Sequence, residues 1–275
     1  MTKPFPARLH ILLASQAPTG LVIRRGPANA VCTIGWNRKT DEFEVGQWLR
    51  GRIYERRADL SPNGQHLIYF ARGSRGDAET KGSWTAISRS PWLHAITLYG
   101  KGDCWQGGGL FTSNKTYWLN GCHFVLRQDR RLGEDQSFVP QGSFGAECPS
   151  VYYRRLIRDG WSIELQDISR KGVAPCNVFT KPLPDGWMLR KFAHADANHP
   201  PGTGCYWDDH ELENPKKKIR LSLPDWEWAD LDGKTVAWAE KGILYRAQLN
   251  GARLGPPKLL FDFNPLRFEA RQAPY

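Results

Sequence analysis

The stretch ADLSPNGQHLIYFA, residues 58–71, combines a tight turn with a short apolar segment. Pro62 fixes its own φ near the value that a turn requires, and Asn63 and Gly64 tolerate positive φ. The segment that follows, residues 65–71, is apolar and aromatic, which is typical of a β-strand. The stretch therefore predicts a strand that is entered through a hairpin turn.

Further Asn-Gly and Asp-Gly steps recur along the chain, each with β-forming residues on at least one side. They begin at Asn120, Asp159, Asp185, Asp232 and Asn250. Such steps favour the tight turns of antiparallel hairpins, because both residues accept the backbone conformation that these turns need. Apolar residues at helical spacing do not continue beyond two turns anywhere in the chain. The pattern predicts an all-β fold made of short antiparallel strands.

Two stretches are alike beyond their turns. DLSPNGQHLIYFA begins at Asp59 and DLDGKTVAWAEKGILYRAQL begins at Asp230, and each runs from Asp-Leu through a turn glycine into an apolar strand. The first resembles the repeat of WD-type and TolB-type β-propellers, in which D-x-S-P-D-G precedes an inner strand of each blade. The resemblance implies a β-propeller of four-stranded antiparallel blades, closed into a single domain.

The length of 275 residues suits five such blades, or six compact ones as the alternative, since one blade takes about 40–45 residues. We predict a single domain over residues 1–275 with the following approximate blades: 8–50, 51–101, 102–147, 148–202 and 203–275. A large β-sandwich or another barrel is the competing fold, because counting turns does not distinguish a meander from a Greek key.

The composition allows a sizeable core and favours an anionic partner. Hydrophobic residues make up 40% of the chain, and 38 Lys and Arg exceed 28 Asp and Glu, which gives a formal net charge of +10. No apolar segment reaches the 18 residues of a membrane-spanning helix. The apolar run Leu9–Ala14 is too short for a secretion signal. We therefore predict no membrane association, a first β-strand at this run and a cytoplasmic location.

The candidate partner-binding residues are basic side chains and aromatic residues that we place in loops. They are Arg154, Arg155, Trp207, Lys216, Lys217, Lys218, Trp226 and Trp228. Clustered cations attract acidic partners, and exposed aromatic rings supply contact area. Tyr152–Arg155 also interleaves rings with cations, as single-stranded nucleic-acid binders do. In a strand, however, alternate side chains point to opposite faces, so that one Tyr and one Arg would point inward.

The stretch AHADANHPPGTGCYWDDHE, residues 193–211, is the richest in polar side chains. Its candidate metal ligands are His194, Asp196, His199, Asp208 and His210. Imidazole and carboxylate groups suit a divalent cation, but their spacing matches no known zinc motif. The alternative is a solvated connection in which Asp and His cap turns. We predict no cofactor, with a divalent metal as the alternative.

The chain lacks both the nucleophile elbow of hydrolases and the phosphate-binding loop of nucleotide hydrolases. The function predicted first is a non-catalytic β-propeller binding module or scaffold, which recognises a protein with an acidic patch through loops on one face. One alternative is an enzyme at the propeller mouth, a metal-assisted hydrolase that uses residues 193–211. A second alternative is a nucleic-acid binder.

Overall fold

The computed structural model describes most of the chain as β-strand. The described residues are 5–26, 29–73, 79–121, 123–142, 144, 147–170, 173–199, 204–251 and 253–275. The chain forms two compact units. The larger unit comprises Ile11–Arg155 with Leu266–Tyr275, and the smaller unit comprises Met1–His10 with Leu156–Pro265. The prediction of an all-β fold is confirmed, with one α-helix among the described residues.

Twelve strands precede the helix. They are β1 (Arg8–Leu13), β2 (Thr19–Arg25), β3 (Ala30–Asn37), β4 (Glu42–Ile53), β5 (Asp59–Leu60), β6 (His66–Gly73), β7 (Ser83–Arg89), β8 (Ala95–Gly100), β9 (Gly109–Phe111), β10 (Thr116–Leu119), β11 (Phe124–Arg127) and β12 (Gly133–Glu134). Nine of them form one sheet in the order β1-β2-β3-β4-β6-β7-β8-β11, with β5 paired to β6. A three-stranded sheet has the order β12-β10-β9.

The helix and ten strands follow. They are α1 (Pro149–Arg158), β13 (Ser162–Arg170), β14 (Val173–Pro182), β15 (Met188–Ala195), β16 (Tyr206–Asn214), β17 (Ile219–Leu223), β18 (Trp228–Asp232), β19 (Thr235–Glu240), β20 (Ile243–Asn250), β21 (Arg253–Leu254) and β22 (Lys258–Asp262). Strands β13 to β17 form an antiparallel meander. The last sheet has the order β18-β19-β20-β21, with β22 paired to β20.

The predicted closed ring of five, or six, four-stranded blades is wrong, since the sheets that the described residues form contain nine, three, five and five strands. Strand β4 explains the largest difference. It pairs with β3 from Glu42 to Arg50 and then with β6 from Gly51 to Ile53, so that this one strand joins β1 to β3 to the other five strands of the sheet. At Gly51 a Cβ atom would lie 2.3 Å from the Arg72 carbonyl oxygen, so this close approach requires glycine. The single domain and its blade boundaries stay predictions, and the boundary at 202 lies outside the described residues.

Four of the six Asn-Gly or Asp-Gly steps form the predicted hairpins. They join β5 to β6, β14 to β15, β18 to β19 and β20 to β21. The other two do not. Gly160 ends α1, where its amide donates to the Ile157 carbonyl oxygen. Gly121 follows β10, but the next strand, β11, pairs with β8 instead.

Tyr152 to Arg155 lie in α1, so their placement in a strand was wrong. The helix has ten residues, which is too short for its apolar spacing to stand out in the sequence. Tyr152, Tyr153 and Arg155 are all buried, whereas a strand would have turned alternate side chains outward.

Buried side chains of consecutive strands fill the core of the larger unit. One cluster joins Leu21 and Ile23 of β2 to Leu67 and Tyr69 of β6. Each pair is two residues apart, as the alternation of a strand requires. Within the described part of the chain, no helix is long and apolar enough to cross a membrane. The cytoplasmic location remains a prediction.

Candidate anion-binding pocket

The turn that opens the 58–71 stretch forms one wall of a pocket of about 590 Å³ in the larger unit. The described residues that line this pocket are Thr19, Asn63, Gly64, Gln65, His66, Arg89, Ser90, Asn114, Lys115, Asp129, Arg131 and Leu132. Most of these side chains are polar or charged. The pocket therefore offers charged and hydrogen-bonding groups to a ligand.

Hydrogen bonds between side chains and backbone fix the shape of the turn. The Ser61 hydroxyl donates to Asn63 Oδ1 at 2.8 Å and accepts from the His66 amide at 2.9 Å. The Asn63 amide donates to Asn114 Oδ1 at 2.8 Å, and Asn114 Nδ2 donates to Gln16 Oε1 at 3.0 Å. Because these side chains are already ordered, the protein would lose little further side-chain entropy at this wall when a ligand binds.

The pocket carries an excess of positive charge. Three cationic side chains line it, Arg89, Lys115 and Arg131, against one carboxylate, Asp129. Arg131 Nη2 lies 2.6 Å from Asp129 Oδ2, and the hydrogen bonds from this guanidinium lower the pKa of Asp129 to about 2. No carboxylate of the described residues pairs with Arg89 or Lys115. Two cations are thus left to attract an anion.

A distant tyrosine positions Arg89. The guanidinium carbon of Arg89 lies 4.6 Å from the centroid of the Tyr275 ring, within the range of a cation–π contact. The Arg89 amide donates to the Tyr275 hydroxyl oxygen at 2.9 Å, and this hydroxyl donates to the His94 carbonyl oxygen at 2.9 Å. The contact restricts Arg89 while leaving its N–H groups free of carboxylate partners.

His66 is the half-buried histidine of the pocket. Its Nδ1 atom is buried and has no hydrogen-bond partner among the described residues. Burial lowers the pKa of His66 below the ordinary value of 6.5, and Arg89 lowers it further. The imidazole is therefore neutral at pH 7, and a proton added to it would increase the positive charge of the pocket.

The structure places the predicted lysines and tryptophans in different environments. Lys216, Lys217 and Lys218 are exposed in the turn between β16 and β17, and no carboxylate of the described residues pairs with them. The tryptophans predicted for loops are buried instead: Trp207 and Trp228 lie in strands, and Trp226 lies two residues before β18.

Aromatic stacking explains why two of these tryptophans are buried. The Trp207 ring stacks on His194 with centroids 4.6 Å apart, and the Trp226 ring stacks on Trp238 with centroids 4.4 Å apart. Hydrophobic strands bury such rings because each one removes a large apolar area from water. These rings belong to the core of the smaller unit and are not displayed to a partner.

The two arginines of α1 are also engaged within the larger unit. Arg155 is 4% exposed and donates to the carbonyl oxygens of Ala58 and Glu55. Arg154 lies 5.5 Å from the ring centroid of Trp118 and donates to the Gly142 carbonyl oxygen at 2.6 Å. Of the predicted partner-binding residues, the three lysines are thus the ones with exposed cationic groups.

The predicted metal ligands do not come together. No three His, Cys, Asp or Glu side chains among the described residues form a group that could hold a metal ion. Residues 193–195 end β15 and Tyr206 begins β16, so that the two ends of the stretch are strand; residues 200–203 lie outside the description. His194 is the register partner of Trp207, and His210 is the register partner of Lys191. The two histidines therefore point to opposite faces of the sheet.

Each of these side chains has another partner. His194 Nε2 lies 3.0 Å from Asp209 Oδ2. His210 Nδ1 donates to the Trp226 carbonyl oxygen at 2.6 Å, and its Nε2 lies 2.8 Å from Lys191 Nζ, which also lies 3.7 Å from Asp208 Oδ2. The Asp196 carboxylate accepts from the Asn198 amide, and His199 is exposed. These contacts satisfy structural needs of the smaller unit.

No protein-family model matches this chain, and no curated protein matches it. Among solved structures, the uncharacterized protein lmo1340 from Listeria monocytogenes EGD-e aligns at 7% identity and a TM-score of 0.32, over 94% of this chain and 67% of the other. The AtxE2 isopeptidase with Astexin3-dC4 bound aligns at 9% identity and a TM-score of 0.43, over 95% of this chain and 53% of the other. At these TM-scores the likeness assigns no function.

Sequence reasoning missed Arg89, Lys115 and Arg131 as site residues. Arg89 and Lys115 have no basic neighbour in the sequence, Arg131 follows Arg130, and each of the three is brought to the pocket by a different strand or loop. The Ser-Pro-Asn-Gly turn was the one feature of the sequence that pointed to this pocket. It indicated the wall that the turn forms, but not the cationic side chains that lie opposite.

Proposed function

We propose that this protein is a non-catalytic binding module that recognises an acidic segment of another protein. The observation that carries the proposal is the pair of cations, Arg89 and Lys115, which line a preorganised pocket and have no carboxylate partners among the described residues. An arginine binds a carboxylate with two parallel hydrogen bonds, so that an Asp or Glu side chain suits this site. We further propose that the repeat-like stretch Asp59–Gly64 serves to present the pocket wall.

The lining favours an acidic polypeptide over a nucleic acid. Proteins that bind single strands combine cations with Trp, Tyr or Phe rings on which the bases stack. None of the described lining residues is Trp, Tyr or Phe. The side-chain amide of Gln65 supplies a hydrogen-bond donor to a peptide backbone instead.

The test compares two charge reversals of equal size. Arg89→Glu with Lys115→Glu changes the pocket, while Lys216→Glu with Lys217→Glu changes the exposed lysine turn of the smaller unit. The probes are a fluorescent oligoglutamate peptide, a matched oligoglutamine peptide and a single-stranded DNA. We expect the pocket variant to bind oligoglutamate about tenfold more weakly or worse, and the lysine variant to change affinity far less.

Binding to the unaltered protein should weaken as salt is added, because exposed charges are screened. Equal affinity of the pocket variant and the unaltered protein for oligoglutamate would exclude the pocket. A loss confined to the lysine variant would move the binding surface to Lys216–Lys218. Tighter retention of DNA than of oligoglutamate would favour a nucleic-acid partner.

A further inference from the structure

Three hairpin turns at one end of the smaller unit carry exposed cations. The turns join β16 to β17, β18 to β19 and β20 to β21. The exposed cationic residues on these turns, together called the basic end, are Lys216, Lys217, Lys218, Lys234 and Arg253. None of the five lines the anion-binding pocket of the larger unit.

Contacts and strand register place the three turns at the same end. A Cβ atom at Gly251, in the turn between β20 and β21, would lie 3.5 Å from Nζ of Lys217, in the turn between β16 and β17. Thr235, which begins β19, pairs with Gln248 close to the end of β20. The turn that carries Lys234 therefore lies at the same end of its sheet as the turn that contains Gly251.

Hydrogen bonds hold the turn that carries the three consecutive lysines. Asn214 Oδ1 accepts the amide of Lys217 at 3.2 Å, and Asn214 Nδ2 donates to the Asp185 carbonyl oxygen at 3.1 Å. Trp187 Nε1, in the same neighbouring turn as Asp185, donates to the Gly251 carbonyl oxygen at 3.0 Å. The backbone under the cations is thus fixed by its neighbours, while the exposed lysine side chains can adjust to a ligand.

The positive charge of the basic end is not neutralised within the described part of the smaller unit. No carboxylate of the described residues pairs with any of the five cations. Among the carboxylates near these turns, Asp232 is 8% exposed and pairs with Arg246, which leaves the exposed Asp185 and the half-buried Glu213. Neighbouring like charges repel each other, and a bound anion relieves this repulsion. The basic end therefore favours a ligand with several negative charges.

The residues around the cations narrow the class of polyanion. No Trp, Tyr, Phe, Leu, Ile, Val or Met occurs in residues 184–186, 215–218, 232–235 or 250–253. Single-stranded nucleic acids are bound by stacking on rings, and protein interfaces depend on aromatic anchors. Stable attachment to a membrane adds an apolar group to a basic patch. A nucleic-acid duplex, by contrast, is bound through its phosphates by cations alone, and lysine suits a phosphate as a point charge.

We infer that the basic end binds the phosphate backbone of a double-stranded nucleic acid through Lys216, Lys217, Lys218, Lys234 and Arg253. Such contacts hold the duplex without reading its base sequence. The inference is independent of the proposed function, because the pocket for an acidic segment lies in the larger unit and shares no described residue with the basic end.

Titration of the full chain with a fluorescent DNA duplex at several salt concentrations tests the inference. Each cation that neutralises one phosphate contributes about −0.9 to the slope of the logarithm of the association constant against the logarithm of the salt concentration. We expect a slope between about −3 and −4.5 for the unaltered protein. Vesicles of equal parts phosphatidylserine and phosphatidylcholine are the competing probe for a membrane surface.

Two double variants with the same change of charge locate the binding site. Lys217→Gln with Arg253→Gln removes one cation from each of two adjoining turns. It should reduce the magnitude of the slope by about 2 and weaken duplex binding at least about tenfold. Lys39→Gln with Arg130→Gln is the control, because both residues are exposed in the larger unit, and it should change neither quantity appreciably.

A slope near zero, an unchanged slope in the variant of Lys217 and Arg253, or an equal loss in the control variant would overturn the inference. Tighter binding of vesicles than of the duplex would assign the basic end to a membrane surface instead. Loss of oligoglutamate binding in the variant of Lys217 and Arg253 would assign it to an acidic protein. Failure of oligoglutamate to bind the unaltered protein, with duplex binding as expected, would contradict the proposed function alone.

Discussion

Asp59 begins the repeat-like stretch, and its carboxylate is almost fully buried, at 1% exposure. Oδ2 of Asp59 accepts the amide of Phe111 at 2.8 Å, which connects β5 to β9 across 52 residues. A buried amide that loses its acceptor keeps the full cost of its desolvation. The aspartate of the motif therefore has a structural role, and the exposed polar residues of the turn are the ones that face the pocket.

We predict that Asp59→Ala lowers the free energy of unfolding by about 1–3 kcal/mol, because the Phe111 amide is left buried without an acceptor. Asp59→Asn should cost less, since its amide oxygen can still accept. Asp225→Ala is the control, because its ion pair with Lys241 is exposed to solvent and should contribute little to stability. Urea denaturation measures all three variants, and equal costs for Asp59→Ala and Asp225→Ala would contradict the assigned role.

At the scale of elements, the glycines of the Asn-Gly and Asp-Gly steps share one backbone conformation but lie in different structural settings. All six glycines of the Asn-Gly and Asp-Gly steps have positive φ, from 51° at Gly251 to 94° at Gly121. Hairpins need such a residue to match the twist of their strands, and the end of α1 needs one at Gly160 to stop the helix. The local chemistry is therefore the same in a hairpin, at a helix end and between two sheets.

Gly64 and Gly233 form a matched pair for measuring what surrounds a turn. Both have positive φ, but a Cβ atom at Gly64 would lie 2.8 Å from Thr19 Cβ, while at Gly233 nothing lies within 4 Å. We predict that Gly233→Ala costs about 1–2 kcal/mol from backbone strain alone. Gly64→Ala should cost about 1–3 kcal/mol more, because of the added clash. Thermal unfolding of both variants measures the difference, and equal costs would show that Thr19 moves aside freely.

At the scale of the whole molecule, two half-buried histidines connect stability to pH. Burial lowers the pKa of His66 and of His123 below the ordinary value of 6.5. His123 Nε2 lies 3.0 Å from the Thr85 hydroxyl, and its Nδ1 donates to the Gly121 carbonyl oxygen, so the neutral ring is well bonded. The unfolded chain therefore binds more protons than the folded chain once the pH falls below 6.5.

We predict that the free energy of unfolding decreases from pH 7.5 to pH 5.5, a window that lies above the range of the carboxyl groups. The double variant His66→Asn with His123→Asn should reduce this slope, because it removes the two histidines that bind protons more readily in the unfolded chain than in the folded chain. His199→Asn, at an exposed position, is the control. Guanidinium denaturation at several pH values measures the slope, and a slope unchanged by the double variant would contradict the assignment.

The candidate pocket shows where prediction from the sequence ends. Asn63 and Gly64 were identified as a turn because their backbone preferences are local. Arg89 was not identified as a site residue, because its role depends on Tyr275, which lies 186 residues away in the chain. Contacts at such separation follow from strand register and sheet order, and no local pattern records them.

The predictions that were wrong failed for the same reason, because they depended on contacts between residues distant in the chain. Trp207 and Trp228 were assigned to loops, yet they lie buried in strands once neighbouring strands cover them. The predicted boundary between the first two blades, between residues 50 and 51, falls inside β4, because this strand continues from one neighbour, β3, to another, β6. Which strands pair with each other depends on the packing of the whole sheet and not on the local sequence.

The sequence by itself determined the all-β class, most of the hairpins and the positive charge, because turn preference, strand composition and net charge are properties of residues and their immediate neighbours. Tertiary structure alone decided which cations line a pocket, which aromatic rings are buried and which strands share a sheet. These features depend on desolvation and on contacts between distant residues, and both arise only when the chain is packed.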